Sequence, residues 1–213
     1  MAARDYGQYG GVTRAVELVG ERWALLIIRD LLVGPRRYGE LAGGLHRIPS
    51  NILASRLKEL QEVGVIRRVP HSRIIVYELT PYGRELEPVV LALGAWGFKA
   101  LGDPRDEQII TPDSMTMDLR TAFRANVAET LPATSYAARL GAAELLIRVD
   151  GSSLEVERGA GPADLAFAAG HGIHRLISGE LAADRAIETG VVEVLGGRVD
   201  LLGRFASTFH LAA

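Results

Sequence analysis

One stretch, residues 47–86, constrains the fold more than any other, because a helix pattern passes directly into a hairpin pattern. Pro49 suits the first turn of a helix, and Gly64 suits the residue just past its end. Between them, apolar residues recur at the spacing of one helix face, at Leu53, Leu57 and Leu60. Two short runs rich in β-branched residues follow, at 65–69 and 74–79, and a further helix start comes at once.

The elements around this helix follow the order of a winged helix. A shorter helix is predicted at 38–45, and the tripeptide 46–48 separates it from the longer one. The tip of the hairpin lies at 70–73. The sequence therefore predicts a winged helix-turn-helix domain. In such a domain the second helix enters the major groove of DNA, and the wing tip lies near the minor groove or the phosphate backbone.

The face of the longer helix opposite its apolar stripe is small and polar, as close approach to a groove requires. Ser and Asn side chains can bond to base edges, and flanking cations can contact phosphates. The residues predicted to contact DNA are Arg36, Arg37, Ser50, Asn51, Ser55, Arg56, Lys58, His71 and Arg73. Taken alone, the helix is better explained as an ordinary amphipathic surface helix, and its neighbours favour DNA contact. A solvated strand edge better explains Arg67 and Arg68.

Residues 6–100 resemble the HxlR-type winged-helix transcription regulators. The resemblance is carried by Val-Gly-Glu-Arg-Trp at 19–23, Gly-Pro-Arg-Arg-Tyr-x-Glu-Leu at 34–41, Leu-x-x-Arg-Leu-x-x-Leu at 53–60 and Thr-Pro-x-Gly at 80–83. It implies a homodimer paired through the first and last helices of this domain. Each subunit would place its recognition helix in one half of a pseudo-palindromic site in double-stranded DNA, as two-fold symmetry requires.

The last helix of this domain carries an apolar stripe that can serve the dimer, the core of the domain or both. Its members are Leu86, Val89, Val90, Leu93 and Trp96.

Many relatives carry a Cys-Pro pair before the first helix, whereas Gly10-Gly11 stands here and the chain has no Cys. Cysteine-based sensing is therefore excluded, together with disulfides and thiolate metal sites.

Charge divides the chain into two halves. Residues 1–102 carry 14 Lys and Arg against 10 Asp and Glu, whereas residues 103–213 carry 10 against 16. This asymmetry indicates that the first half meets a polyanion and the second half does not. A polar stretch with two prolines separates them. The predicted organisation is a DNA-binding and dimerisation domain at 1–102, a linker at 103–117 and a second domain at 118–213.

The second half mixes helix and strand patterns. Helices are predicted at 118–131, 162–170, 171–178, 182–189 and 200–209, and strands at 143–150, 152–159 and 190–197. Asp150-Gly151 is a favoured two-residue hairpin turn between the first two strands. With the winged helix, these elements predict the α+β class.

Residues 115–213 resemble the sterol carrier protein fold, through Gly-Glu-Leu at 179–181, Ala-Ile-x-x-Gly-x-Val-x-Val-x-Gly at 186–196 and a closing apolar helix. The resemblance implies a small α/β sandwich that, in carrier members, encloses a lipid or sterol. The residues assigned to bind a small apolar effector are Phe123, Phe167, Leu176, Leu181, Phe205 and Phe209. The same residues can simply fill a core, because lining and filling residues have the same composition.

No pattern of catalytic residues stands out, so the chain is predicted not to be an enzyme and to need no cofactor. His171-x-x-His174 could place two imidazoles on one helix face, but no third ligand follows at a recognisable spacing, and no metal site is predicted. With Glu180 and Asp184, these histidines form the one cluster where an enzyme site could be sought.

The start of the chain lacks a secretion pattern, and no apolar run could span a bilayer. The sequence therefore predicts a cytoplasmic protein without membrane contact.

Together these patterns predict a homodimeric, one-component transcription regulator that acts as a repressor. Its winged helix binds the operator, and its second half binds a small apolar effector or extends the dimer. The alternative is a carrier of small apolar molecules whose winged helix mediates protein contacts.

Overall fold

A computed structural model describes residues 5–102, 104–105 and 107–211 of the chain. The chain divides into two compact units, Met1–Val90 and Leu91–Ala213. The domain bounds predicted from the sequence remain a prediction. The predicted linker at 103–117 includes Asp103 and Asp106, and the predicted domains include the residues at the two chain ends, which lie outside the described residues.

In its described residues, the first unit contains five helices and a two-stranded sheet, and a sixth helix crosses the division between the units. The elements are α1 Gly11–Val19, α2 Ala24–Val33, α3 Tyr38–Gly44, α4 Ser50–Glu62, β1 Ile66–His71, β2 Ile74–Leu79, α5 Pro81–Arg84 and α6 Glu87–Phe98. The predicted stripe of α4 is buried, together with apolar residues of α2 and α3. This burial holds the helix-turn-helix together, since the hydrophobic effect stabilises by about 25 cal/mol for each Å² of apolar surface removed from water.

Glycine and threonine define the ends of the elements that were predicted here. Gly64 follows α4 with φ of +74°, a conformation that glycine adopts without a steric penalty. Thr80 caps α5, because its hydroxyl accepts a hydrogen bond from the N–H of Gly83 at 3.0 Å. The helix-turn-helix and the hairpin after it are therefore confirmed.

The second unit is built on a five-stranded mixed sheet with the order β5-β4-β3-β6-β7. Its elements are α7 Pro112–Ala122, α8 Ala125–Ala128, β3 Thr134–Leu140, β4 Ala143–Asp150, β5 Ser153–Arg158, β6 Leu165–Ala169, α9 Ile173–Ile177, α10 Ala183–Glu188, β7 Val192–Gly197 and α11 Leu201–Thr208. Strands β3 and β6 pair in parallel, and the other neighbours are antiparallel. The α+β class is confirmed.

The structure of the second half differs from the sequence-based prediction in four places. The helix predicted at 162–170 is wrong, because this stretch contains strand β6. Strand β3 was not predicted at all. The single helix predicted at 118–131 is two helices, α7 and α8, and α7 begins earlier at Pro112 behind the N-cap Thr111. The turn between β4 and β5 is Gly151-Ser152, since Asp150 pairs with Ser153.

Among the described residues, no helix combines the length and the apolar character that crossing a bilayer requires.

Candidate nucleic-acid interface

The exposed face of α4 begins with two polar side chains. Ser50 and Asn51 occupy the first two positions of the helix, and both are exposed. The residue before them is Pro49, and no side chain caps this helix start. Because neither side chain caps the helix, both remain available to bond to base edges.

The start of α4 is hydrogen-bonded to the start of α3 by a residue that the sequence did not identify. The hydroxyl of Tyr38 donates to the backbone carbonyl of Ser50 at 2.9 Å. Tyr38 is the first residue of α3, and Ser50 is the first residue of α4. No local pattern could have shown this contact, because its two partners are 12 residues apart.

Three other predicted DNA contacts on α4 interact with carboxylates of the same unit. Ser55 donates to Glu59 at 2.8 Å, and Lys58 lies 3.6 Å from Glu62. Arg56 forms ion pairs with Glu59 and, at 3.4 Å, with Glu21, and only 14% of its side chain is exposed. These acids compete with phosphate for the Arg56 guanidinium, and the pairs link α4 to the segment before α2. The DNA contact assigned to each of the three residues remains a prediction.

The wing presents its polar residues at a tight turn. Strands β1 and β2 pair from Ile66 with Leu79 to His71 with Ile74, which leaves Ser72 and Arg73 as the turn. Ser72 has φ of +57°, a left-handed conformation that is uncommon outside glycine. Both His71 and Arg73 are exposed, as contact with a DNA backbone would require.

Charged side chains lower on the wing pair across the two strands. Arg67 donates from Nε to Glu78 at 2.6 Å, and this residue pair is in register. This cross-strand pair agrees with the interpretation of Arg67 as part of a solvated strand edge.

The segment before α3 lies along the wing. The backbone N–H of Arg36 donates to the carbonyl of Tyr77 at 2.9 Å, and the N–H of Tyr77 donates back to Arg36 at 2.7 Å. The guanidinium of Arg36 donates to the carbonyl of Pro35 at 2.9 Å. Arg37 caps α3, its N–H donates to the carboxylate of Glu40 at 2.6 Å, and its side chain is exposed. Arg37 therefore lies between the wing and the helix-turn-helix, where a phosphate contact is sterically open.

Two apolar helices offer surface for a partner subunit. Within α6, all of which the structure describes, no residue is buried. Its stripe residues Val89, Leu93 and Trp96 are exposed, Trp96 by 74%. Val12 and Val16 of α1 are exposed as well. Exposed apolar side chains at helical spacing are typical of a helix that packs against another surface.

The residues predicted to bind an effector lie in or against the core of the second unit. Phe167, Phe205 and Phe209 are fully buried, and Leu176 is nearly so. The rings of Phe205 and Phe209 lie 4.7 Å apart between centroids, and Phe123 lies 5.9 Å from Phe209. Leu181 is half-buried against the same core. These contacts make the residues part of a packed core, and their role in binding an effector remains a prediction.

The histidine cluster of the second unit is built around an ion pair. His174 directs Nε2 to the carboxylate of Asp118 at 3.2 Å and Nδ1 to the carbonyl of His171 at 3.1 Å. Burial lowers the pKa of His174, but the hydrogen bond and the charge of Asp118 outweigh it, so the pKa is raised above its usual value. Glu180 and Asp184 are exposed. Among the described residues, no group of three or more His, Asp or Glu could hold a metal ion.

The His174–Asp118 pair predicts that the second unit loses stability as pH rises. A histidine with a raised pKa in the folded state contributes stability below its unfolded pKa, and this stability disappears as pH rises through the folded pKa. Urea unfolding measured from about pH 6 to about pH 8 should therefore show a decline that Asp118→Asn reduces. His46→Gln, at an exposed histidine of the first unit, is the control and should leave the decline unchanged. An unchanged decline in Asp118→Asn would contradict the assignment.

Comparison with known proteins places the similarity in the first part of the chain. Residues 18–104 match the family described as HxlR-like helix-turn-helix. The HTH-type transcriptional regulator Rv3095 of Mycobacterium tuberculosis is 46% identical over 101 residues, which cover 46% of this chain and 63% of that protein. The regulator YvaP of Bacillus subtilis is 35% identical over 86 residues, which cover 39% of this chain and 80% of YvaP. This chain thus spans less than two thirds of the mycobacterial relative.

A solved structure also matches part of this chain. The crystal structure of the HTH-type transcriptional regulator ytcD shares 33% identity, with a TM-score of 0.41 over 45% of this chain and 100% of that one. Rv3095 and YvaP are both described as HTH-type transcriptional regulators, and the family match lies within the first half of this chain.

Proposed function

Because this chain belongs to the HxlR-like helix-turn-helix family, we propose that it is a homodimeric transcription regulator that binds a pseudo-palindromic DNA operator. The observation that carries the proposal is the start of α4, where Ser50 and Asn51 are exposed and no side chain caps the helix. A helix in the major groove reads bases with such side chains at its N-terminal end.

Phosphate contacts hold the protein on the duplex in this proposal. Arg37 at the start of α3 and the wing-tip residues His71 and Arg73 are exposed and flank the reading helix in the fold of a winged helix. Arg36 is assigned to the same role, although it is partly buried and its guanidinium donates to the carbonyl of Pro35. The contacts of Arg56 with Glu21 and Glu59 make it a weaker candidate than these residues.

The exposed stripe of α6 and the exposed valines of α1 support pairing of two subunits. A two-fold dimer places two copies of α4 on one face, about 34–36 Å apart, one turn of B-DNA.

Repression by occlusion of the promoter is the mode of action that we propose. The second unit, with its predicted sterol-carrier-like fold, would hold a small apolar effector or extend the dimer. An effector changes operator affinity only if it binds the two conformations unequally.

Two substitutions separate base reading from phosphate contact. Asn51→Ala should reduce the preference for the operator over a scrambled duplex by about 1–3 kcal/mol, because a base contact is lost. Arg73→Ala should weaken binding to both duplexes about equally and lower the slope of log K against log salt by about 1. Fluorescence anisotropy with duplexes selected from a random pool, at several salt concentrations, measures both quantities.

Arg139→Ala provides the control, because Arg139 is exposed on the sheet of the second unit. It removes one positive charge and should leave both affinities unchanged. If Asn51→Ala and Arg73→Ala lower the two affinities in the same way, the assignment of α4 to the groove is wrong. If the wild-type protein selects no sequence, the proposal fails as a whole, and the carrier alternative becomes the better explanation.

Native mass spectrometry tests the remaining parts. A dimer that carries a discrete extra mass would support an effector in the second unit, and operator binding with and without that molecule would follow. A monomer at micromolar concentration would contradict the two-fold operator.

A further inference from the structure

A single tyrosine hydroxyl joins the two helices of the helix-turn-helix at the end that would face DNA. Tyr38 is the first residue of α3, and its hydroxyl donates to the carbonyl of Ser50 at 2.9 Å. About a third of its surface, 37%, is exposed, so the bond lies at the rim of the unit rather than in its core. A bond at such an exposed position contributes little to the packing of the unit. What distinguishes it is that it ends at Ser50, the first residue of α4.

The acceptor in this bond is a backbone atom, which has two consequences. A carbonyl oxygen has two lone pairs, and in the first turn of a helix one of them serves the N–H four residues later. The hydroxyl of Tyr38 uses the remaining capacity of Ser50. The bond therefore fixes the path of the backbone at the start of α4 and leaves the side chains of Ser50 and Asn51 uncommitted.

The segment that carries Tyr38 is attached at its other end to the wing. Two backbone hydrogen bonds, of 2.9 Å and 2.7 Å, pair Arg36 with Tyr77 of β2. The three residues from Arg36 to Tyr38 thus contact the wing through the first residue and the start of α4 through the third. Arg37, between them, is exposed. The positions of the wing, of one cation and of the reading helix are coupled through this short segment.

We propose that Tyr38 is a positioning residue for base recognition, whose hydroxyl sets where the first turn of α4 lies relative to α3 and the wing. This inference rests on the proposed function and adds a residue to it. The amide of Asn51 must reach a base edge within hydrogen-bonding distance, and such bonds weaken steeply with small displacements. Without the bond from Tyr38, the first turn of α4 has one restraint fewer, and Asn51 samples positions that do not fit the base.

A positioning role for Tyr38 and a direct contact between Tyr38 and phosphate predict different binding data. A hydroxyl that bonds to phosphate would contribute to binding of every sequence, because phosphates carry no sequence information. A hydroxyl that positions Asn51 contributes to affinity only for a duplex whose bases Asn51 contacts. The ratio of affinities for two duplexes therefore separates the two roles, and thermal stability reveals a merely structural role.

The test compares Tyr38→Phe with Tyr82→Phe in the full chain. Tyr82 is also a tyrosine of the first unit, on α5, and is 52% exposed. Duplexes selected from a random pool by the wild-type protein are compared with scrambled duplexes of the same composition. For Tyr38→Phe we expect affinity for the selected duplex to fall about two- to ten-fold, as the loss of one hydrogen bond implies. Affinity for the scrambled duplex and the salt slope should stay unchanged, and the melting temperature should fall by no more than a few degrees, as the loss of one partly exposed hydrogen bond implies. Tyr82→Phe should match the wild type in its affinities.

The double substitution Tyr38→Phe with Asn51→Ala completes the test. If Tyr38 acts through Asn51, the double variant should discriminate no worse than Asn51→Ala alone, because coupled residues are not additive. Equal losses on both duplexes would overturn the proposal in favour of a phosphate contact. Full discrimination by Tyr38→Phe would overturn it in favour of a structural role. If the wild type selects no sequence, the proposed function fails, and this inference fails with it. If the wild type selects a sequence and Tyr38→Phe discriminates as well as the wild type, only this inference fails.

Discussion

Phe205→Ala should destabilise the second unit by about 3–5 kcal/mol, the usual cost of removing a buried phenylalanine. Phe205 lies on α11, has no exposed surface and contacts three other rings. The centroid distances are 5.3 Å to Tyr136, 5.2 Å to Phe167 and 4.7 Å to Phe209. Tyr136 and Phe167 belong to the neighbouring strands β3 and β6. The substitution therefore leaves a cavity between the closing helix and the centre of the sheet.

Hydrogen exchange followed by mass spectrometry measures this loss for each unit separately. Amides of β3 and β6 should exchange much faster in Phe205→Ala, while those of β1 and β2 keep their protection, since they belong to the other compact unit and separate cooperative units open independently. Leu195→Ala, at an exposed position of β7, is the control and should change little. Unchanged protection of β3 in Phe205→Ala would show that α11 is not packed on the sheet.

Gly83→Ala should destabilise the first unit by about 3 kcal/mol, because the added methyl group has no space. A Cβ at Gly83 would lie 2.0 Å from the carbonyl oxygen of Val65 and 3.1 Å from a methyl group of Leu79. The Val65 carbonyl also accepts a hydrogen bond from the N–H of Thr80 at 3.1 Å. Backbone must move to relieve the contact, and the junction of α4 with the wing moves with it.

Urea unfolding and exchange of the amides of β1 and β2 measure the effect of Gly83→Ala. Gly43→Ala is the matched control, because Gly43 lies in α3 and a Cβ there meets no atom within 4 Å. Alanine favours the helix over glycine, so this control should stabilise the unit by about 0.5–1 kcal/mol. If Gly83→Ala proves as stable as Gly43→Ala, Gly83 is not packed closely against the Val65 carbonyl.

The first unit was largely predictable because its signals are local. The stripe at Leu53, Leu57 and Leu60 has helical spacing, and all three residues are buried. Gly64 and Thr80 mark ends through conformations and hydrogen bonds that involve only near neighbours. A helix or hairpin whose bounds depend on such short-range features can be derived from a single sequence.

The strands of the second unit were harder to predict because their neighbours are distant in sequence. Strand β6 is Leu-Ala-Phe-Ala-Ala, and alanine favours helices in isolation. Its pairing with β3 on one side and β7 on the other decides its structure. Strand β3 also holds two alanines, which weakens the alternating pattern that would identify a strand.

The candidate site shows the same division between local and distant contacts. The polar face of α4 and the basic wing tip could be derived from spacing alone. The ion pair of Arg56 with Glu21 joins residues far apart in sequence, and it changes which cations are open to DNA. The bond from Tyr38 to Ser50 is equally invisible to periodicity. Sequence patterns indicated the candidate surface but could not rank its residues.

The parallel pairing of β3 with β6 determines the order in which the second unit can form during synthesis. Strand β3 is central in the sheet, yet one of its partners, β6, is separated from it by β4 and β5. Until β6 leaves the ribosome, one edge of β3 exposes unpaired N–H and C=O groups, an arrangement prone to pair with other chains. The winged helix, with its short-range contacts, can fold well before that point. A nascent chain that stops after β5 would therefore combine a finished winged-helix unit with an aggregation-prone partial sheet.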